Sequence, residues 1–273
     1  MRRLLAAVCL AVVLAGCAGG GPATDATAGT ATDRQVTGGT DAPAGTQTPT
    51  PRATLTDEHP YVEGDRVNAT AMLLSHFRVL ERAESFTVAN NLTAAWAANG
   101  TSLGRQVVVN RADIAAERWR LTRRSFGPDG TSRIDETRYA NATRSCLVGS
   151  ETACRDSGFD RRRVLGLTVE TTALENLRGP AFQPAGTVTR DGQALYRYTA
   201  ETFRDPLPEA AASDLGREPA LENATVLVAP DGQVALYRVT YTVATDGGRQ
   251  RGTLTYTTRA LNATTVSPPA ALR

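Results

Sequence analysis

The hydrophobic positions of the chain follow first a helical period and then a strand period. From Val67 to Ala83 the larger apolar residues recur at spacings of three and four, which is typical of one apolar helix face: Leu73, Leu74, Phe77 and Leu80. Asn68 stands where a helix N-cap is expected. From Phe86 to Trp96 apolar and polar residues alternate instead, and this period of two predicts a half-buried strand.

Turn signals divide the rest of the chain into further strands. They combine Asp, Asn, Pro and Gly, which favour tight hairpin turns: Asn99-Gly100, Pro128-Asp129-Gly130, Asp191-Gly192, Pro230-Asp231-Gly232 and Asp246-Gly247. A second helix is predicted from about Thr168 to Arg178, closed by Gly179-Pro180. The pattern predicts an α+β fold, in which about eight to ten antiparallel strands pack against one long and one shorter helix.

The apolar stripe of the long helix and the inner face of the sheet must bury each other. If the sheet is strongly curved, an apolar hollow of a few hundred Å³ can remain between them, whereas a flatter sheet closes into a packed core. Both outcomes are open from the sequence. The residues expected to line such a hollow are Leu73, Phe77, Leu80, Phe86, Trp96, Trp119 and Tyr241.

The N-terminus has the pattern of a lipoprotein signal peptide. Arg2-Arg3 precede an apolar run from Leu4 to Ala15, and Leu14-Ala15-Gly16-Cys17 forms a lipobox. We expect residues 1–16 to be removed and Cys17 to carry the lipid. An uncleaved membrane helix needs about 20 apolar residues, and this run breaks at Gly19-Gly20-Gly21-Pro22. General secretion and twin-arginine export both stay open.

Residues 17–60 are predicted to be the lipidated cysteine and a disordered stalk. The stalk is rich in Thr, Ala, Gly and Pro, and it cannot bury enough apolar surface to fold. Residues 61–273 are long enough for one α+β domain with its own core. We therefore expect a lipid-anchored protein on the outer face of the cytoplasmic membrane, in the cell envelope.

Cys146 and Cys154 are predicted to form a disulfide in the folded domain. Cys9 leaves with the signal peptide and Cys17 is modified, so these two remain in a compartment that permits disulfides. The ring is small, so its expected role is to pin a local loop or hairpin. The alternative of a metal or redox pair lacks the usual Cys-x-x-Cys spacing.

Six asparagines begin the acceptor pattern Asn-x-Thr of N-glycosylation, more than the Ser and Thr content gives by chance. They are Asn68, Asn91, Asn99, Asn141, Asn223 and Asn262. The pattern predicts a glycoprotein with an outward-facing surface. For Asn68, helix capping is a second explanation.

Charge and composition exclude several functions. The net charge of +2 gives no reason to expect a nucleic-acid partner. The chain contains no lysine, which excludes Schiff-base and phosphate-loop lysine chemistry. With only His59 and His76, no histidine-based metal site or cofactor is predicted.

Clustered arginines at 118–124 and 161–163 either hold anionic headgroups or form the solvated side of a strand and a loop.

One motif suggests catalysis, although its context does not. Gly100-Thr101-Ser102-Leu103-Gly104 matches the nucleophile elbow of α/β-hydrolases, which needs a strand before it and a helix after it. Here a strand is predicted to follow, and His76 is the remaining base. We therefore predict no enzyme and no catalytic residue.

The order of these segments resembles a known group of proteins. It runs from the lipobox and stalk through the long helix, Ser85-Phe86-Thr87 and the Asp-Gly hairpins to the segment 226–232 and the closing segment 262–269. This order resembles uncharacterised haloarchaeal surface lipoproteins and, more distantly, the LolA and LppX/LprG group of lipoprotein and lipid carriers. The resemblance implies a curved antiparallel half-barrel around an apolar cavity and binding of a lipid or other apolar ligand. The alternative is a structural or interaction glycoprotein, and protein partners are undetermined by sequence.

Overall fold

The computed structural model describes residues 58–171, 173–205 and 219–273. The predicted signal peptide, Cys17 and nearly all of the stalk lie outside these residues. These residues form two α-helices, α1 at Ala69–Arg82 and α2 at Arg161–Thr171, together with short 3₁₀ helices at Ala173–Arg178 and Ala270–Leu272. Among the described residues, no helix combines the length and apolarity needed to span a bilayer.

Thirteen strands are described, and eleven of them form one antiparallel sheet. The strands are β1 Val62–Glu63, β2 Arg66–Val67, β3 Ser85–Trp96, β4 Ser102–Asp113, β5 Arg118–Phe126, β6 Ser132–Ala140, β7 Ser145–Val148, β8 Thr152–Arg155, β9 Gln183–Arg190, β10 Gln193–Ala200, β11 Ala220–Val228, β12 Val234–Thr245 and β13 Gly248–Arg259. The large sheet has the order β8-β7-β6-β5-β4-β3-β13-β12-β11-β10-β9, and β1 and β2 form a separate hairpin. The predicted meander is confirmed, with more strands than expected.

Two meanders, β3–β8 and β9–β13, are joined through the central pair β3 and β13. Register shifts interrupt several pairs, including those at Ala94/Ala95, Ser125/Phe126 and Leu221/Asn223. Such bulges increase local twist and bend the strand that carries them. The sheet is strongly curved, and this confirms the predicted fold class of a curved antiparallel sheet with two helices.

The long helix lies where the sequence predicts it, but its buried face is different. Asn68 caps α1 by accepting a hydrogen bond from the Ala71 N–H at 2.8 Å. The buried stripe consists of Ala69, Met72, Leu73, His76 and Leu80. Leu74, which the apolar spacing assigned to this stripe, is 49% exposed. The spacing was misleading because a histidine occupies the position that an apolar residue would normally take.

The second helix begins earlier than predicted. Instead of one helix from Thr168 to Arg178, α2 spans Arg161–Thr171, and a 3₁₀ helix, Ala173–Arg178, follows and ends before Gly179-Pro180. The Asp160 side chain caps α2 by accepting hydrogen bonds from the backbone N–H groups of Arg162 and Arg163, at 2.9 and 3.2 Å. Three arginines in the first turn oppose the helix dipole, so this segment did not resemble a helix start.

The main core lies between α1 and the inner face of the sheet. Leu80 and Phe86 are fully buried there, beside the equally buried Tyr237 and Tyr256. His76 joins this core without charge. Its Nδ1 accepts a hydrogen bond from the Val234 N–H at 3.1 Å, and its Nε2 lies 2.6 Å from the Tyr256 hydroxyl. Burial lowers the pKa of His76 to about 3, so the ring is neutral.

Candidate functional site

A cleft of about 270 Å³ lies between α2 and the sheet at β5–β8. Two rows of cross-strand partners form the sheet side. The first row runs from the core residue Phe86 through Ala112, Trp119, Ala140 and Ser145 to Arg155. The second ends with Arg138, Leu147 and Ala153. Because the sheet curves toward α2, the ends of both rows face the helix across the cleft.

The cleft wall has a substantial apolar part. It is formed by five side chains from the sheet and from α2: Trp119, Ala140, Leu147, Val164 and Leu167. Leu147 is 43% exposed, which is unusual for a large apolar residue in this domain. An apolar wall that opens to solvent beside an exposed leucine is a typical feature of a ligand site.

A chain of buried hydrogen bonds holds α2 against the sheet at the base of the cleft. The Trp119 Nε1–H donates to Asn110 Oδ1, and Asn110 Nδ2 donates to Thr168 Oγ1. Thr168 Oγ1 donates in turn to the Val164 carbonyl oxygen at 2.8 Å. All three side chains are buried, so breaking one link would leave a polar group unsatisfied. These bonds fix the distance between helix and sheet at the base of the cleft.

The start of α2 is packed closely against the loop between β6 and β7. The Phe159 N–H donates to the Asn141 carbonyl oxygen at 2.7 Å. A Cβ atom on Gly158 would collide with the Ala142 carbonyl oxygen, so only glycine allows this close approach. The contact places the first turn of α2 beside the ends of β6, β7 and β8 that form the charged end of the cleft.

Charged groups surround this end of the cleft. Arg155, Arg163 and Asp160 line it, while Arg138 lines the cleft in the second row, opposite Leu147. Arg138 forms an ion pair with Glu136 at 2.8 Å, and Asp160 is the helix cap described above. Arg155 and Arg163 are exposed at the rim. Of the two arginine clusters considered in the sequence, Arg163 is the member that reaches the cleft.

The predicted disulfide is confirmed and belongs to the wall of the cleft. Cys146 and Cys154 are direct cross-strand partners in the β7–β8 hairpin, with Cα atoms 4.1 Å apart. Both residues line the cleft. The short edge strand β8 is thus fixed covalently to β7, as expected for a bond that pins a local hairpin.

The residues predicted to line a hollow are not brought together in one place. Trp119 lines the cleft, whereas Leu73, Leu80 and Phe86 are packed in the core under α1. Phe77 is half-buried against the same core. The Tyr241 ring covers Gly252, and Trp96 lies against Gly247 at the far end of the sheet. The cleft that we describe lies under α2 instead.

The six Asn-x-Thr asparagines lie outside the cleft lining. Asn91, Asn99, Asn223 and Asn262 are exposed, while Asn68 and Asn141 are half-buried. In four of the six, the side-chain oxygen accepts a hydrogen bond from a backbone N–H group: Asn68, Asn99, Asn141 and Asn262. These caps and turns are structural roles for the amide oxygen, whereas glycosylation would modify the amide nitrogen, which at Asn68 donates to Glu63 Oε1 at 2.8 Å.

The Gly-x-Ser-x-Gly motif has the predicted hairpin context. Ser102 begins strand β4, and Gly100 has the positive φ of a tight turn. The helix that a nucleophile elbow requires is thus replaced by a strand. His76 is committed to Val234 and Tyr256 in the core. These positions do not form a nucleophile and base pair.

A second hollow, of about 460 Å³, lies beside β2 and β9. Its lining includes Asp65, Arg66, Arg204 and Asp205, so acidic and basic groups are balanced. Arg204 Nη2 also donates to the Val67 carbonyl oxygen. Because its charges are balanced and Arg204 is already bonded to the backbone, this hollow is a weaker candidate for a ligand site than the cleft under α2.

Comparison with solved structures gives similar folds at low identity. One is lipoprotein LppX of Mycobacterium tuberculosis, with a TM-score of 0.39 and 14% identity over 73% of this chain and 98% of that one. LprF of Mycobacterium bovis has a TM-score of 0.39 and 10% identity, covering 74% of this chain and 96% of its own. A LolA superfamily protein of Nitrosomonas europaea has a TM-score of 0.25 and 10% identity, covering 74% and 96%.

Among curated protein sequences, none matches this chain. A family profile, in contrast, matches nearly its whole length, from residue 2 to residue 273. The chain belongs to DUF7537, a family of unknown function.

Proposed function

We propose that this protein is a lipid-anchored protein of the cell envelope that binds or carries a lipid or other apolar ligand in the cleft under α2. One observation carries the proposal: an open cleft whose wall has a substantial apolar part and whose floor is fixed by buried hydrogen bonds. A collapsed surface groove would not keep Leu147 exposed beside Val164 and Leu167, because apolar side chains gain free energy by closing on each other.

The size of the cleft limits the ligand. Pockets for drug-sized ligands occupy about 300–1,000 Å³, and this cleft of about 270 Å³ is at the lower limit. It fits one acyl chain or a small apolar molecule better than a whole two-chain lipid. Binding requires no catalytic group, which agrees with the committed hydrogen bonds of His76.

The proposal is tested by filling the cleft. Ala153 lines it from the edge strand β8, and its side chain is exposed. We expect Ala153→Trp to lower the affinity for a fluorescent fatty acid about tenfold, because an indole would occupy the space of the chain. Thr152→Trp is the matched control, since Thr152 is an equally exposed neighbour outside the cleft lining. Equal affinities of both variants and wild type would contradict the proposal.

Extraction of the purified full chain provides an independent test. Organic extraction followed by mass spectrometry is expected to give a lipid in wild type and much less in Ala153→Trp. If wild type carries no lipid and no fatty acid probe binds, the cleft is not a lipid site.

The second candidate is a structural or interaction glycoprotein of the envelope. The specific observation in its favour is the filled core under α1, where Leu80, Phe86 and Tyr256 are fully buried. The exposed Asn-x-Thr positions, such as Asn91 and Asn223, agree with it as well. This candidate is favoured if the chain carries glycans but binds no lipid.

A further inference from the structure

We infer that the ligand of the cleft is a single-chain anionic amphiphile, with its acidic head between Arg155 and Arg163 and its chain along Leu147 and Leu167. The inference rests on the proposed function and adds the chemical class of the ligand. It follows from three features of the cleft: its charge, the direction in which its lining changes from charged to apolar, and its volume.

The lining carries more positive than negative charge. Arg138, Arg155 and Arg163 line the cleft against the single lining carboxylate of Asp160, a difference of two charges (3 − 1 = 2). The carboxylate already accepts two backbone hydrogen bonds at the start of α2. Arg138 is also paired, with Glu136 at 2.8 Å. Positive charge is thus concentrated at Arg155 and Arg163, whose guanidinium groups suit carboxylates and phosphates.

The start of α2 strengthens this charge. Backbone N–H groups at a helix N-terminus carry partial positive charge, so arginines in the first turn destabilise a helix. Arg161, Arg162 and Arg163 occupy that turn. An anion held at Arg163 would relieve the repulsion between that arginine and the helix dipole. The same anion would be attracted by both.

The strand register and the direction of α2 separate the unpaired positive charge from the apolar part of the cleft, because Arg138, which pairs with Leu147 across the strands, is already neutralised by Glu136. Ser145 pairs with Arg155, and one step further along the same face Leu147 pairs with Ala153. On the helix side, Arg163 and Leu167 are four residues apart and therefore lie on one face. Because Phe159 is bonded to Asn141 at the end of β6, α2 starts beside Arg155. The ligand therefore binds in one direction, with its head at Arg155 and Arg163 and its chain at Leu147 and Leu167.

The inference is tested by measuring affinities for amphiphiles that share a dodecyl chain and differ in the head. The probes are dodecyl phosphate, dodecylphosphocholine and dodecyltrimethylammonium, each below its micelle concentration. Binding is followed in the full chain with Trp96→Phe, which leaves Trp119 on the cleft wall as the remaining tryptophan of two. We expect dodecyl phosphate to bind roughly tenfold more tightly than dodecylphosphocholine, and dodecyltrimethylammonium to bind most weakly.

Arginine variants identify the groups that hold the head. Arg155→Gln/Arg163→Gln is expected to weaken dodecyl phosphate binding about tenfold and to change dodecylphosphocholine binding less than about twofold. Arg162→Gln is the matched control, because Arg162 is exposed on the same turn but does not line the cleft. Its affinities should equal those of the parent. The preference for dodecyl phosphate should also shrink as salt increases.

The other outcomes overturn the inference in distinguishable ways. Equal binding of the three probes, or tighter binding of the cation, would mean that the cleft binds the alkyl chain but does not select an anionic head. The proposed function would then stand without the inference. Displacement of dodecyl phosphate by an equal concentration of inorganic phosphate would mean an anion site that does not need the chain. Absence of binding by every probe would remove the proposed function itself.

Discussion

At the residue scale, His76 shows how a polar side chain can replace an apolar one in a core. Its two ring nitrogens are both bonded, and the direction of the bonds is fixed because the Val234 N–H can only donate. Nε2 therefore carries the proton and donates to the Tyr256 hydroxyl. The Thr258 hydroxyl lies 3.1 Å from the Tyr256 hydroxyl and donates to the Val234 carbonyl oxygen at 2.8 Å. The chain of hydrogen bonds begins and ends at Val234, and none of its groups carries a charge.

This arrangement predicts a dependence of stability on pH. The native His76 has a pKa of about 3, whereas the unfolded histidine titrates near 6.5. Below about pH 6.5 the unfolded state binds a proton that the native state does not, so the free energy of unfolding falls as pH falls. Between pH 7 and pH 5 we expect His76 to account for a loss of about 2 kcal/mol.

The measurement is urea unfolding of wild type and His76→Gln at both pH values. The variant should be less stable at pH 7, but it should lose about 2 kcal/mol less on acidification. Contributions from His59 and from the carboxylates are common to both proteins and cancel in the difference. Parallel losses would show that His76 is accessible to protons in the native state.

At the element scale, local signals predicted the parts of the fold that local contacts determine. The helix over Val67–Ala83 and the hairpin at Asp191-Gly192 follow from capping and turn chemistry, and both are found. Helix α2 was misplaced because its cap, Asp160, precedes three arginines that oppose the dipole. The cleft was missed for the same reason: it depends on where α2 lies. Of the residues predicted to line a hollow, only Trp119 lines this cleft, because the sequence does not show which helix covers β5–β8.

Helix α2 contains a glycine that can be replaced without a clash. A Cβ atom on Gly166 would meet nothing within 4 Å. Glycine inside a helix costs about 0.5–1 kcal/mol relative to alanine, so Gly166→Ala should raise the free energy of unfolding by that amount. Gly158→Ala is the contrasting variant, since its Cβ would collide with Ala142, and it should be destabilising. Both values are measured by chemical denaturation, and a destabilising Gly166→Ala would mean that α2 is not helical there.

The disulfide acts on one hairpin rather than on the whole sheet. Cys146 and Cys154 are separated by 8 positions, and such a small ring restricts the unfolded chain modestly. Replacing both with serine is expected to cost about 1–3 kcal/mol. Amide hydrogen exchange should accelerate in β7 and β8 while the central strands β3 and β13 keep their protection. Accelerated exchange throughout the sheet would contradict this local role, as would free thiols in the native domain.

At the scale of the whole molecule, the fold depends on contacts that local sequence patterns do not encode. Strands β3 and β13, which lie near opposite ends of the domain sequence, pair from Thr87 with Arg259 to Trp96 with Gln250. Alternation shows that each strand has an inner face, but it does not show which strands are neighbours. For this reason the antiparallel class was predictable, whereas the position of the cleft was not. The cleft arises where the curvature of the sheet leaves α2 to cover the β5–β8 edge.

Attachment to the membrane is the property of the whole molecule that the N-terminal sequence predicts. Cys17 lies outside the described residues, so the test is biochemical. Cys17→Ser should abolish lipidation and release the protein from membranes, because the lipid expected on Cys17 would contribute most of the binding. Cys9→Ser is the matched control, since Cys9 lies inside the predicted signal peptide and its replacement should leave lipidation intact. The variants are compared by membrane fractionation and by mass spectrometry of the N-terminal peptide. If the N-terminal peptide of the wild type carries no lipid on Cys17 and residues 1–16 are still attached, the N-terminus is an uncleaved anchor and the lipoprotein prediction is wrong.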